Sequence, residues 1–279
     1  MIKSKKYSKM LISSAIFAGS LVASASAIAA GNLMPVNLGK AGTFAILSKS
    51  GITDVFRSSV VGDVGTSPIT GAALLLTCDE VVGKVYTVTV AGPLPCTISN
   101  PSLLTVAVND MEAAYTDAAG RVAPSFTELG GGEIGGQDFA PGIYKWSSPV
   151  TVANDITLTG GPNDVWIFQM SQTFNLANAT RVKLVGGALA KNVFWAIAGA
   201  ATLGTTSDFK GIILAKTMIA VNTGASVEGR LFAQTAVTLQ MSTITQPTHQ
   251  MDTVTQPKHQ RDDTVTQPKH QRDTVTQPE

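Results

Sequence analysis

Ser148-Pro149-Val150-Thr151-Val152, Gln172-Thr173-Phe174-Asn175-Leu176, Gly199-Ala200-Ala201-Thr202-Leu203, Thr217-Met218-Ile219-Ala220-Val221 and Thr235-Ala236-Val237-Thr238-Leu239 align on one pattern, at successive offsets of 24, 27, 18 and 18 residues. Apolar residues alternate in each with small or polar ones, as Val150 and Val152 do around Thr151. A period of two sends the apolar set to one side of a strand and the other set to the opposite side. Upstream of each segment lies a second short apolar run: Ile143-Tyr144-Lys145-Trp146, Trp166-Ile167-Phe168-Gln169-Met170, Val193-Phe194-Trp195-Ala196-Ile197, Ile212-Ile213-Leu214-Ala215 and Leu231-Phe232-Ala233. Units of two or three short strands recurring at this length predict a solenoid. The two longer units carry their excess in one place, at residues 160–164 and 186–192, both composed as turns. Insertions at one corner leave the strands in register.

Outside the coils the chain offers an N-terminal strand at Gly42-Thr43-Phe44-Ala45-Ile46-Leu47 and a segment of about 60–97 that contains both cysteines. That segment reads as a small capping insertion closed by a Cys78–Cys96 disulfide, the usual fate of a lone cysteine pair in an exported chain. A helix is predicted over residues 101–119. Asn100 is its N-cap, Pro101 its first residue and Gly120 its stop, and Leu104, Ala107, Val108, Met111, Ala114, Tyr115 and Ala118 fall on one face. Nineteen residues at ~1.5 Å each span about 28 Å. Six coils stacked at ~4.8 Å have nearly the same height, so the helix fits along the axis. The expected fold is therefore mainly β, a β-solenoid of about six coils with one long helix packed along it.

The chain opens with Lys3, Lys5, Lys6 and Lys9, then an apolar run from Met10 to about Val22 and the small-residue triplets around Ala27. This is the pattern of a secretory signal peptide over residues 1–27, and the apolar run falls short of the ~20 residues of a spanning helix. The expected product is extracellular and not inserted in a membrane. Loss of those four lysines takes the formal charge from +1 to −3, a balance that attracts neither nucleic acid nor an anionic surface. Residues 28–247 are expected to form the solenoid domain. From Thr243 the composition changes to Thr-Ile-Thr-Gln-Pro and near copies that begin at Thr253, Thr264 and Thr274. With almost nothing apolar to bury, residues 248–279 read as a disordered tail, either a spacer or a dispensable extension.

All three histidines, His249, His259 and His270, lie in that tail. The expected domain thus has no histidine for a nucleophilic triad or a zinc site, and its coil carboxylates Asp155, Asp164, Asp208 and Glu228 are expected to share no column. Gly130-Gly131-Gly132 lacks the Gly-Lys-Ser/Thr of a phosphate loop. The expectation is a binding protein, not an enzyme, without cofactor or metal. The outward column supplies the candidate surface: Thr151, Asn175, Thr202, Ala220 and Thr238, with Pro149, Thr173, Ala200, Met218 and Ala236 beside it and Ser148, Gln172, Thr217 and Thr235 at its edge. It is a flat strip without charge. Stacking spaces these side chains ~4.7–4.9 Å apart, close to a lattice repeat of ice, although threonine also favours exposed strand positions for its own reasons.

The stretches Gly42-Thr43-Phe44-Ala45-Ile46-Leu47-Ser48-Lys49-Ser50-Gly51-Ile52-Thr53, Gly62-Asp63-Val64-Gly65-Thr66-Ser67-Pro68, Asp117-Ala118-Ala119-Gly120-Arg121, Ala140-Pro141-Gly142-Ile143-Tyr144, Asn163-Asp164-Val165-Trp166-Ile167-Phe168 and Asn222-Thr223-Gly224-Ala225-Ser226 resemble the secreted microbial ice-binding (antifreeze) proteins. The likeness runs from about Val36 to Pro247. It implies a discontinuous right-handed β-solenoid in which the N-terminal strands pair beside the C-terminal coil. It also implies adsorption to ice, thermal hysteresis and inhibition of recrystallisation by a monomer, through a face bearing Thr-Ala/Gly-x-Thr/Asn. Thr235-Ala236-Val237-Thr238 fits that pattern, Gln172-Thr173-Phe174-Asn175 and Gly199-Ala200-Ala201-Thr202 fit in part, and Thr217-Met218-Ile219-Ala220 departs from it. The implied ice-binding set is Ser148, Thr151, Thr173, Asn175, Ala200, Thr202, Thr217, Ala220, Thr235, Ala236 and Thr238. The competing reading is a cell-surface adhesin or carbohydrate-binding solenoid. Sugar recognition calls for exposed aromatic platforms, whereas Trp146, Trp166 and Trp195 recur where the core is expected.

Overall fold

The computed structural model describes residues 33–247, so the signal segment over 1–27 and the tail over 248–279 lie outside the described residues. Every strand pairing is parallel, and the strands fall into three sheets that form the sides of a β-solenoid. The first side follows the order Thr97–Ser99, Val85–Thr87, Asp63–Thr66, Phe44–Ser48, Ser226–Ala233, Asp208–Ala215, Val193–Ile197, Trp166–Met170, Gly142–Trp146 and Phe126–Thr127. The second is Val150–Val152, Phe174–Leu176, Ala201–Leu203, Ile219–Val221, Ala236–Gln240 and Gly51–Val55. Asp138–Phe139, Ile156–Thr159 and Val182–Val185 begin the third side. An Arg181 to Asp208 bridge continues it into the first halves of the two long strands, then into Thr243–Thr245, Ser59–Val61 and Val81–Val82.

The N-terminal strands complete the stack from the far end of the chain. Phe44–Ser48 pairs with Ser226–Ala233, and Gly51–Val55 with Ala236–Gln240. This makes the solenoid discontinuous in sequence while continuous in space. The segment expected as a cap over about 60–97 contributes strands to the same stack, Asp63–Thr66 on Phe44–Ser48 and Val85–Thr87 on Asp63–Thr66. Cys78 and Cys96 are bonded to each other within it.

Strands of the first side are buried on both faces, which is why they read as unbroken apolar runs rather than alternations. Their inner side chains meet an aromatic stack of Tyr144, Trp146, Phe168, Trp195, Phe174 and Phe209. Each tryptophan is fully buried and donates its indole N–H to a carbonyl: Trp146 to Leu129 at 2.8 Å, Trp166 to Phe139 at 3.0 Å and Trp195 to Lys210 at 3.1 Å. The outer side chains, including Phe44, Leu47, Ile167, Phe194, Ile212, Leu214 and Phe232, pack under the helix.

That helix, α1, spans Pro101–Gly120 and buries Leu104, Ala107, Val108, Met111, Ala114 and Ala118, with Tyr115 only partly covered. The Asn100 side chain accepts from the Leu103 N–H at 3.1 Å, capping the first turn. At the other end the buried Gln169 amide donates to the carbonyls of Ala118 and Arg121 at 2.8 and 2.9 Å, meeting acceptors that a helix terminus leaves open. α1 carries the chain from Thr97–Ser99 at one end of the first side to Phe126–Thr127 at the other. Sequence order thereby jumps the length of the stack, and the regular coils climb back.

Candidate functional site

The second side is the one sheet whose outer surface is neither covered by α1 nor charged. Its register places Thr151, Asn175, Thr202, Ala220 and Thr238 on successive rungs, each the direct partner of the next. Inward residues on either side, Val150 and Val152 through Val237 and Leu239, are buried, and this packing holds the outward set in line. The column does not stop at Thr238. Gly51–Val55 adds a sixth rung with Thr53 opposite Thr238 and exposed. Sequence reasoning left Thr53 out, although Ser50-Gly51-Ile52-Thr53 has the spacing of the pattern sought in the coils and the expected N-terminal pairing would have placed it here.

Beside this column run Pro149, Thr173, Ala200, Met218, Ala236 and Gly51, the last two direct partners and the others joined by ladder hydrogen bonds. Gly51 has φ of +126°, and a Cβ there would lie 2.7 Å from the Ala73 carbonyl oxygen, so the sixth rung can carry no side chain at that place. A third outward column holds Ala153, Ala177, Gly204, Asn222, Gln240 and Val55, with Val55 opposite Gln240. None of these residues is charged. Five spacings of ~4.8 Å give the six rungs a length of about 24 Å, and three outward columns ~6.8 Å apart give a width of about 14 Å.

The edge is less uniform. Ser148 donates to the Glu128 carboxylate at 3.3 Å, and hydrogen bonds from Ser147 and Ser148 hold that carboxyl below the usual range. Glu133 bridges to Thr151, so acidic groups bound the first rung. The Thr217 hydroxyl is turned away from solvent and has no hydrogen-bond partner among the described residues, leaving this position to offer its methyl group. Thr235 and Ala236 are half-buried beside Thr238. Met218, 39% exposed, is the one long side chain in its column.

The third side shows what a charged face of this solenoid looks like. Asp155, Arg181 and Asp208 occupy successive rungs of one column, and Thr157, Lys183, Lys210 and Glu228 the next. Asp155 and Asp208 therefore do share a column, contrary to the sequence expectation. The 24-residue offset hid the register, because Asp155 follows Thr151 by four residues whereas Arg181 follows Asn175 and Asp208 follows Thr202 by six, two extra residues lying in the turn between the second and third sides. These carboxylates are paired with lysines: Lys183 lies 2.7 Å from Asp155 and holds its carboxyl below the usual range, while Lys210 lies 3.1 Å from Asp208 and 3.3 Å from Glu228. Among the described residues no group of three or more His, Cys, Asp or Glu is placed to hold a metal ion.

Residues 46–245 match the Ice-binding-like family. An ice-binding protein of a Colwellia species is 60% identical over 245 residues, covering 88% of this chain and 94% of the relative. An ice-binding protein of Flavobacterium frigoris strain PS1 is 57% identical over 212 residues, covering 76% of each chain. Among solved structures, a glycosylated ice-binding protein from an Arctic yeast superposes with a TM-score of 0.74 at 35% identity, covering 78% of this chain and 97% of that one. An ice-binding protein domain of Shewanella frigidimarina gives 0.71 at 29% identity, covering 78% and 99%. The fold is thus shared with solved ice-binding proteins, and the chain belongs to the Ice-binding-like family.

Proposed function

We propose that the protein binds ice through the outer surface of the second side and catalyses nothing. The contact set is Thr151, Asn175, Thr202, Ala220, Thr238 and Thr53 in the central column, flanked by Thr173, Ala200 and Ala236 and edged by Ser148, Thr217 and Thr235. The observation that carries this reading is the register: six outward positions on consecutive rungs, uncharged and held by a close-packed interior. Regular spacing lets hydroxyls and methyls order one water layer over the whole strip, and the layer then merges with the crystal. Many weak contacts act together, so flatness matters more than any single group. Family membership supports the same activity.

The protein acts outside the cell as a monomer on this reading, with an ice crystal as its partner and no cofactor. Burial of Trp146, Trp166 and Trp195 withdraws the tryptophans that a sugar-binding solenoid would present as platforms. The test is direct observation of a crystal held just below its melting point in purified protein. Faceting and a gap between melting and freezing temperatures are expected; a crystal that grows rounded and without a gap contradicts the proposal.

A further inference from the structure

The final strand of the described chain has copies in the sequence that follows it. Thr243–Thr245 inserts between Ser226–Ala233 and Ser59–Val61, pairing in parallel with both. Thr243 N–H donates to the Ala225 carbonyl at 3.0 Å, and Gln246 N–H to that of Val61 at 2.9 Å. Ile244 is fully buried between Val227 and Val60. The Gln246 side-chain oxygen, in the amide orientation that satisfies both its ends, accepts from Arg230 at 2.9 Å. Pro247 is buried behind it. The slot thus reads five residues: two outward threonines, one inward branched aliphatic, one glutamine and one proline.

Thr-Val-Thr-Gln-Pro recurs at residues 253–257, 264–268 and 274–278. Each copy keeps both threonines, the glutamine and the proline, and replaces Ile244 only by the smaller valine, a change that cores tolerate well. A copy with the same inward and outward residues meets the slot in the same register, because the buried aliphatic position fixes the pairing. We propose that the slot between Ser226–Ala233 and Ser59–Val61 is a binding site for this five-residue strand, and that residues 253–257 of the same chain are its alternative occupant, with the two later copies behind them. The same chain supplies the occupant because a tether of ten residues holds the copy at high effective concentration, and the cost of looping out those residues grows only logarithmically with their number.

The first copy is preferred for a local reason. Ser242, the residue before it, is buried; its N–H donates to the Ser58 hydroxyl at 3.0 Å, and that hydroxyl donates to Asp54 at 2.6 Å. The Glu80 carboxylate accepts from Ser58 N–H beside it. The later copies are preceded by Asp252, Asp263 and Asp273, which would bring a further carboxylate against Asp54 and Glu80. The slot therefore holds the first copy while it is intact and takes a later one when it is not.

The test is made in the full chain. Ile244→Asp spoils the first copy, and in a second variant Ile244→Asp is combined with Val254→Asp, Val265→Asp and Val275→Asp. The expected result is a clearly smaller loss of melting temperature in the first variant than in the second. The three tail substitutions alone should leave it unchanged. Adding Asp252→Ser and Val254→Ile to Ile244→Asp should restore most of the loss. Equal losses in the first two variants, with no recovery in the last, overturn the proposal. The ice-binding reading is independent of this outcome.

Discussion

Met218→Ala is expected to improve the face, and the structure sets the scale. Met218 lies on the fourth of six rungs, between Ala200 and Ala236 in its column, and its thioether chain projects beyond the methyl groups on either side. A rigid planar partner meets that projection first and stands off from both neighbours. One outward position covers about 4.8 by 6.8 Å, or roughly 33 Å². Clearing position 218 and its two neighbours frees about 100 Å² for contact, which at ~25 cal/mol/Å² is about 2.5 kcal/mol. That is an upper bound, since ice is not an apolar phase. Even half of it amounts to nearly tenfold in affinity. With Met218 39% exposed, truncation costs stability on the order of 1 kcal/mol, a fall of about 2–4 °C in Tm. Circular dichroism and a melting curve report the fold, and thermal hysteresis at matched concentration reports the face. Hysteresis above wild type is expected. A folded Met218→Ala protein with equal or lower hysteresis refutes the reasoning and makes Met218 itself a contact.

Three further outcomes are expected. Burial, aided by Glu80, pushes the Asp54 carboxyl up to about 6 from an ordinary 3.8, although its Ser58 hydrogen bond pulls the other way. The folded protein then holds that proton more tightly than the unfolded chain, so this stabilisation is complete below pH 3.8 and lost as pH rises through 6; after allowance for solvent screening, Asp54→Asn should gain about 1–2 kcal/mol at pH 7 and flatten the melting temperature between pH 4 and 7. An unchanged slope contradicts this. Reduction of Cys78–Cys96, which are 18 residues apart, should cost about 3 kcal/mol through loop entropy while leaving hysteresis per folded molecule unchanged. A chain ended after Pro247 should melt and shape ice as the full chain does, because its first Thr-Ile-Thr-Gln-Pro copy still fills the slot; a large loss of either property shows that the tail packs or binds.

Much of this fold is visible in local sequence. Alternation at Val150-Thr151-Val152 and its four counterparts is enough to stack the central column rung by rung, since the inward and outward sets cannot exchange without burying threonine and exposing valine. The helix is equally plain from Asn100, Pro101 and its apolar face. Pairings across long stretches of chain are not. Thr53 meets Thr238, and Ser59–Val61 meets Thr243–Thr245, only because α1 carries the chain back along the stack, and no local period records that. The segment of about 60–97 looked separate for the same reason, its strands of two to four residues being too short to reveal which neighbour each pairs with. Thr243–Thr245 hid in plain composition: read with its copies it is polar repeat, yet burial of Ile244 between two neighbours makes it part of the solenoid.

The most direct test of the central claim compares faces of one protein. Thr238→Tyr and Thr202→Lys put a bulky or charged group on the central column of the second side, while Thr157→Lys puts one on the third, already charged side. Outward substitutions of this kind change stability by less than ~0.5 kcal/mol as a rule, and circular dichroism checks that all three fold. The prediction is loss of most thermal hysteresis in Thr238→Tyr and Thr202→Lys and near wild-type hysteresis in Thr157→Lys. Three folded variants with wild-type hysteresis, or a loss confined to Thr157→Lys, would contradict the assignment of the ice-binding face.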